Sequence, residues 1–180
     1  MLFMLGSALD ESTFATGIEA DCFRANDIET FDTCTIRAHA SGVPIYLAAS
    51  HATDKSRDPE FVFEFENATV SYSEMDGDII RAVFSDGREK NYGKPSKNNS
   101  FQKLWDSVDA IKDGIKPICT VKTAMPHTAF INELHKTTIY RSFDKENVLL
   151  NNDGSGLYVP GLYERMDLAY NEVKLLSEIE

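Results

Sequence analysis

Between Ile18 and Phe84 apolar and polar residues alternate in short runs separated by turn residues, and this pattern narrows the possible folds more than any other feature of the chain. In Cys34-Thr35-Ile36-Arg37-Ala38-His39-Ala40 the small and apolar residues fall on one face, with Thr35, Arg37 and His39 on the other, as a half-buried strand requires. Gly42-Val43-Pro44 is predicted to turn the chain into a second strand from Ile45 to Ser50. Phe61, Phe63 and Phe65 share the core face of the next strand, which Asn67-Ala68 interrupts before extended chain resumes at Thr69 to Ser73. Asp76-Gly77-Asp78 and Ser85-Asp86-Gly87 lead into strands at 79–85 and 88–92. Connections this short join antiparallel neighbours, because a parallel crossover needs about a dozen residues or more.

The period then changes. Phe101, Leu104, Trp105, Val108 and Ile111 recur at three- and four-residue spacing, with Asn99 or Ser100 available as N-cap and Gly114 as the stop, which predicts an amphipathic helix. A second helix is predicted to begin near Thr120, with Val121, Ala124, Thr128, Ile131 and His135 on one stripe and Pro126 either in its first full turn or kinking it. Leu162, Met166, Ala169, Val173 and Leu176 outline a third helix, and 140–143 and 148–150 read as short strands. The expected architecture is a single α+β domain over 1–180: a mainly antiparallel open sheet with helices packed on one face and the other face available for subunit contact. That second face carries Thr33, Thr35, Arg37 and His39, a mixed surface suited to a flat, moderately polar interface.

The balance of 18 Lys and Arg against 29 Asp and Glu gives a formal charge of −11, which disfavours nucleic acid or an anionic membrane as partner. No apolar run approaches the roughly 20 residues that span a bilayer. Cys22, Cys34 and Cys119 show no C-x-x-C pairing and suggest neither a disulfide framework nor a zinc site, so a reducing cytoplasm fits best. Two glycosylation-pattern matches, at Asn67 and Asn98, are then coincidental. The apolar opening Met1 to Leu5 lacks the basic start and cleavage site of a secretory signal, and residues 1–8 read as the tail of a helix.

No nucleotide or nucleophile motif is present. Gly154-Ser155-Gly156 begins like a dinucleotide fingerprint but lacks the third glycine and a following helix, so it reads as a loop. There is no G-K-[ST] sequence and no G-x-S-x-G elbow. The histidines are the remaining candidates. His51 stands where a strand enters a loop containing Asp54, Lys55, Arg57 and Asp58, a position from which an imidazole can donate to a substrate oxygen or move a proton. His127 and His135 are eight residues apart on a helix, about 12 Å along its axis, too far to share a metal. The pairs Asp106/Asp109 and Glu64/Glu66 read as solvated faces.

Several stretches together resemble a known family: 25–33 (Ala-Asn-Asp-Ile-Glu-Thr-Phe-Asp-Thr), Ala49-Ser50-His51-Ala52, Asp86-Gly87-Arg88 leading to Tyr92-Gly93-Lys94-Pro95, Lys103-Leu104-Trp105, Pro126-His127-Thr128, and Val159-Pro160-Gly161-Leu162. In order and spacing they resemble the C-terminal, substrate-side domain of the Gfo/Idh/MocA oxidoreductases, over nearly the whole chain. The resemblance implies an open, mostly antiparallel sheet whose free face joins subunits into a dimer or larger homo-oligomer. It also implies a parent enzyme in which a preceding Rossmann domain binds NAD or NADP and exchanges hydride with a sugar, polyol or related carbinol.

The departures matter as much. The Rossmann half is absent, and neither Lys94-Pro95 nor Lys116-Pro117 reproduces the family's acidic-Lys-Pro motif, so no catalytic residue carries over. His51, with Lys55 and His127, is the candidate set for lining a small-molecule substrate. The leading expectation is therefore the substrate-side and oligomerisation domain of an NAD(P)-dependent oxidoreductase, a truncated piece inactive in isolation and binding no cofactor itself. A stand-alone binding or dimerisation module of the same fold is the alternative, and a metal-assisted enzyme using His51 with Asp54 or Asp58 and a histidine distant in sequence is a third.

Overall fold

The structure is a computed structural model that describes residues 1–95, 101–151, 154 and 156–179. In chain order its elements are β1 (Ala15–Arg24), β2 (Thr33–Ala40), β3 (Val43–Ser50), β4 (Phe61–Phe65), β5 (Ala68–Ser73), β6 (Ile79–Phe84), β7 (Glu89–Asn91), α1 (Gln102–Asp113), α2 (Val121–Thr137), β8 (Tyr140–Ser142), β9 (Leu149–Leu150), β10 (Leu157–Tyr158) and α3 (Leu162–Glu172). The α+β class and the mainly antiparallel pairing agree with the sequence reading. The strands divide between two four-stranded sheets and a two-stranded ribbon, and the chain forms two compact units, Met1–Lys55 with Pro117–Glu180 and Ser56–Lys116.

In the first unit the strand order is β3-β2-β1-β8, antiparallel except for the parallel β1–β8 pair. The β2–β3 turn is Ser41-Gly42, with φ of 51° and 78°. Positive φ at both central residues matches the natural twist of a two-residue hairpin. The predicted turn at Gly42-Val43-Pro44 is therefore displaced: Val43 and Pro44 already belong to β3, pairing with Ala40 and His39. Proline is tolerated there because β3 is an edge strand, where a missing N–H costs no ladder bond. The connection from β1 to β2 is held by Asp32, whose carboxylate accepts from the amides of Ala25 and Asn26 and from the Asn26 side chain at 2.8–3.1 Å.

Alternation assigns the two faces. Cys22, Cys34 and Ile36, with Leu47 beside them, pack under Leu134 and Phe130 of α2. Phe23 and Ala48 share the opposite face with Thr33 and Thr35, and there Leu162 and Met166 of α3 and Leu176 join the core. Helices thus lie on both faces rather than one. Thr33 and Thr35, expected to be solvated or to meet another subunit, are fully buried beneath the chain's own C-terminal segment, while His39 stays exposed. The Leu176 amide donates to Thr35 Oγ1 at 2.8 Å, the Ser177 amide to Asp21 Oδ2 at 2.8 Å, and Tyr46 Oη to the Lys174 carbonyl at 2.6 Å. Arg37 grips both oxygens of Glu178 at 2.9–3.0 Å.

α2 begins as predicted, with Thr120 and Thr123 forming a reciprocal capping box. Its buried stripe is Thr123, Pro126 and Leu134, not the predicted Val121, Ala124, Thr128, Ile131 and His135. Val121 and His135 are exposed and Ile131 is half-buried. The apolar residues of this helix do not form one clean row, and Pro126 turns inward because its ring is apolar and it has no N–H to satisfy. The opening residues close a turn in which the amides of Met4 and Leu5 donate to the Met1 carbonyl, and Leu2 is buried.

The second unit is a meander, β4-β5-β6-β7, followed by α1. Its pairing places Phe61 opposite Tyr72, Phe63 opposite Val70 and Tyr72 opposite Ile80, so the predicted face continues across the sheet as an aromatic row, but Phe61 and Phe63 are only half-buried and Phe65 is 62% exposed, not part of a core. The break at Asn67 is a tight hairpin turn, with Phe65 pairing directly with Ala68. α1 forms where predicted and ends at Gly114 with φ 67°. None of its residues is buried, and Leu104 and Trp105 are each 57% exposed. The predicted caps Asn99 and Ser100 lie outside the described residues, as do parts of the Gly154-Ser155-Gly156 loop. Among the described residues no helix is long and apolar enough to cross a membrane.

Candidate functional site

Two of the candidate residues, Lys55 and His127, lie on the two sides of the first unit's sheet, and His51 stands where β3 ends. β3 delivers the chain to His51, whose amide donates to the Asp32 carbonyl at 2.8 Å. The loop that follows is fixed by local bonds: the Ala52 amide donates to Ser50 Oγ at 3.0 Å, the Val159 amide to the Ala52 carbonyl at 2.9 Å, and Thr53 Oγ1 to the Lys55 carbonyl at 2.9 Å. These bonds anchor Ala52, fully buried, against α3, and leave the His51 and Lys55 side chains exposed at the surface.

Lys55 is engaged rather than free. Its ammonium pairs with Glu164 in the first turn of α3 and lies 5.1 Å from the Tyr163 ring centroid. The hydrogen bond from Lys55 holds the Glu164 carboxyl below the usual range, and the same bond raises the Lys55 ammonium above its own. A lysine kept protonated in this way does not serve as a base. It can offer hydrogen bonds and positive charge to a hydroxyl-rich or anionic ligand, with Tyr163 supplying a flat ring of the kind on which sugar C–H faces rest.

His127 stands on the other side, on α2. There it lines a cavity of about 360 Å³ together with Met1, Leu2, Phe3, Ser12, Ile36, Ile45, Tyr46, Leu47, Thr123, Phe130 and Ile131. That size lies near the lower end for small-molecule sites, and the walls are mainly apolar. Tyr46 commits its hydroxyl to the Lys174 carbonyl, and burial pushes its phenol up to about 12. Thr123 is likewise occupied, bonding to the carbonyls of Asp10 and Ile118. The structure therefore does not bring His127 together with His51 and Lys55.

Residues that sequence reasoning missed lie close by. Tyr163 and Glu164 complete the Lys55 region, and only tertiary packing joins residues so far apart. Asp21, 6% exposed, takes the Ser177 amide and the Arg141 guanidinium from two other segments. Cys22 and Cys34 face each other directly across β1 and β2. The hairpin register about Ile28 was the available signal for that pair. Among the described residues no group of three His, Cys, Asp or Glu side chains is arranged to hold a metal, His51 with Asp54 and Asp58 included.

No family model matches the chain, and no curated protein is detectably similar in sequence. Among solved structures, UDP-N-acetylglucosamine 3-dehydrogenase from Acidithiobacillus ferrooxidans is similar in two crystal forms. The TM-scores are 0.55 and 0.53 at 14% and 15% identity, each match covering 67% of this chain and 39% of that one. At such identity the likeness establishes the fold, and the chain spans well under two thirds of the length of those enzymes.

Proposed function

We propose that the chain is the substrate-side domain of an NAD(P)-dependent oxidoreductase acting on a sugar, polyol or related carbinol. The observation that carries this reading is the fold it has in common with a sugar-nucleotide dehydrogenase, over a portion of that enzyme about the size of one domain. The family resemblance of the sequence motifs supports it independently.

The nicotinamide takes or gives the hydride in such enzymes, and no cradle for its dinucleotide is formed among the described residues. A dinucleotide cradle needs a glycine-rich turn from a strand into a helix with free N-terminal amides. The first turn of α2 is already capped by Thr120, and α3 follows Pro160-Gly161 with no second glycine at the required spacing. The cofactor is accordingly assigned to a partner domain. What this chain contributes is recognition: Lys55, with Tyr163 beneath it, and the exposed His51 at the start of the same loop offer hydrogen bonds to substrate hydroxyls.

Backbone chemical-shift mapping tests this with a panel of sugars, polyols and sugar nucleotides, and with NAD and NADP separately. Shifts clustered at 51–55 and 161–165 for one carbinol class, weakened by Lys55→Ala, support the reading. Saturable NAD or NADP binding, or substrate shifts confined to the second unit, would overturn it. The cavity beside His127 favours a second reading, a non-catalytic binding module for a small apolar ligand. Shifts at 127–131 on adding an apolar fluorophore, with none at 51–55 for any carbinol, would favour that reading instead.

A further inference from the structure

We infer that Cys22 and Cys34 are a buried redox pair that closes into a cross-strand disulfide when α2 loosens from the sheet. The two residues are exact Cα partners on antiparallel neighbours. Which kind of partner follows from β3. The His51 amide donates to the Asp32 carbonyl, and two steps along that register Cys34 faces Ala49. Backbone polar groups alternate sides along a strand, so those of Cys34 point toward β3 and away from β1. Cys22 and Cys34 therefore form a non-hydrogen-bonded pair, the closer of the two antiparallel spacings, with Cα atoms about 4.5 Å apart. That separation lies at the short end of the range a disulfide spans, roughly 4.4–6.8 Å. Both side chains lie on the face under α2, in one cluster with Ile36 and Leu134.

Their surroundings explain why the pair is reduced and slow to react. Cys22 is 1% and Cys34 6% exposed, and burial pushes the thiols up to about 12 and about 11 respectively. A thiolate is the reacting species, so the closed state resists oxidation. Reaction proceeds from a locally opened state in which α2 has moved off the strands. One cysteine thiolate then attacks a sulfur of a low-molecular-weight disulfide such as oxidised glutathione, releasing one glutathione thiolate. The second cysteine thiolate attacks the protein sulfur of that mixed disulfide, releasing the other. Two protein thiols lose two electrons and two protons, and one oxidant molecule becomes two glutathione thiols. The second step is intramolecular between residues held in register, so it outruns capture of a second oxidant.

The exposed Cys119 makes the test selective. Cys119 is first blocked on the folded protein with N-ethylmaleimide, which spares buried thiols. The protein is then incubated with oxidised glutathione, quenched in acid, denatured and alkylated. The expected product takes no further alkyl group, has lost the mass of two hydrogens, and yields a non-reduced peptide linking Cys22 to Cys34. Closure should be at least tenfold faster in Leu134→Ala, and faster in urea below the unfolding transition, which tests the gate without a variant. Two alkylated cysteines, two separate glutathione adducts, or linkage only between chains would overturn the pair. A rate unchanged by both urea and Leu134→Ala would overturn the gate.

Discussion

Replacing Thr35 by valine tests whether the chain's own C-terminus covers the sheet face. Thr35 is fully buried, and its hydroxyl accepts the amide of Leu176, itself 1% exposed. Valine keeps the shape and removes the acceptor, stranding a buried N–H at a cost of about 1–3 kcal/mol. The added methyl returns up to about 0.8 kcal/mol. With the full return the net loss is about 0.2–2.2 kcal/mol, and since ~1.4 kcal/mol is a factor of ten, a mid-range value means that the Leu176 and Ser177 amides lose roughly tenfold protection from hydrogen exchange. Thr35→Ser, which keeps the oxygen, should fall between wild type and valine. The single tryptophan, Trp105, lies in the other unit, so its fluorescence transition in urea serves as an internal control and should not move. On an open strand face the same change would be neutral or stabilising, because valine suits strands. Unchanged Leu176 protection in Thr35→Val, or a more stable protein, would refute the covered face.

Other consequences are measurable. The Leu175 amide, then Arg37, opposed by desolvation and to a smaller degree by the Asp21 carboxylate, hold the Glu178 carboxyl below its ordinary 4.5. Its contribution is therefore complete above that value and is lost as pH falls through the lower folded value. Protection of the Ser177 amide should decline in that window and become pH-independent there in Glu178→Gln. Leu134→Ala empties a fully buried position and should destabilise the first unit by about 3–5 kcal/mol by circular dichroism, leaving Trp105 fluorescence unchanged. Asp32→Ala strands the amides of Ala25 and Asn26 and should cost about 2–3 kcal/mol, with exchange broadening centred on residues 25–31 in the NMR spectrum. Pairing Lys55 with Glu164 predicts that Glu164→Gln lowers the Lys55 ammonium pKa, measurable by side-chain NMR titration.

Much of the architecture was legible because local rules decide it. Alternation gave β2 and β4, though not the exposure of Phe65, and Thr120 announced the start of α2. What failed depended on partners distant in sequence. A threonine-rich strand face reads the same whether water, a second subunit or residues 174–178 cover it, since Thr35 differs only in what accepts from or donates to its hydroxyl. The stripe of α2 was misjudged because Thr123 and Pro126, polar or helix-averse by type, turn inward for capping and packing. Strand-end logic offers His51 and Lys55 as candidates, whereas Tyr163 and Glu164 carry no local signal and join Lys55 only through the docking of α3. His127 was grouped with them by the family resemblance alone, and it stands on α2, across the sheet from the α3 side that Lys55 contacts.

The second unit, Ser56–Lys116, interrupts the first in sequence. Its meander closes by neighbouring hairpins alone, at little loop-closure cost. The first unit must unite β1 with β8 across a separation of 118 residues, as in the Arg24–Ser142 contact. Topology therefore sets an order of events: the inserted meander can form early and independently, and the parallel β1–β8 pairing comes late. While β8 is unpaired, the outer edge of β1 is a free template for intermolecular strand addition, so that slow step is where aggregation during refolding should concentrate.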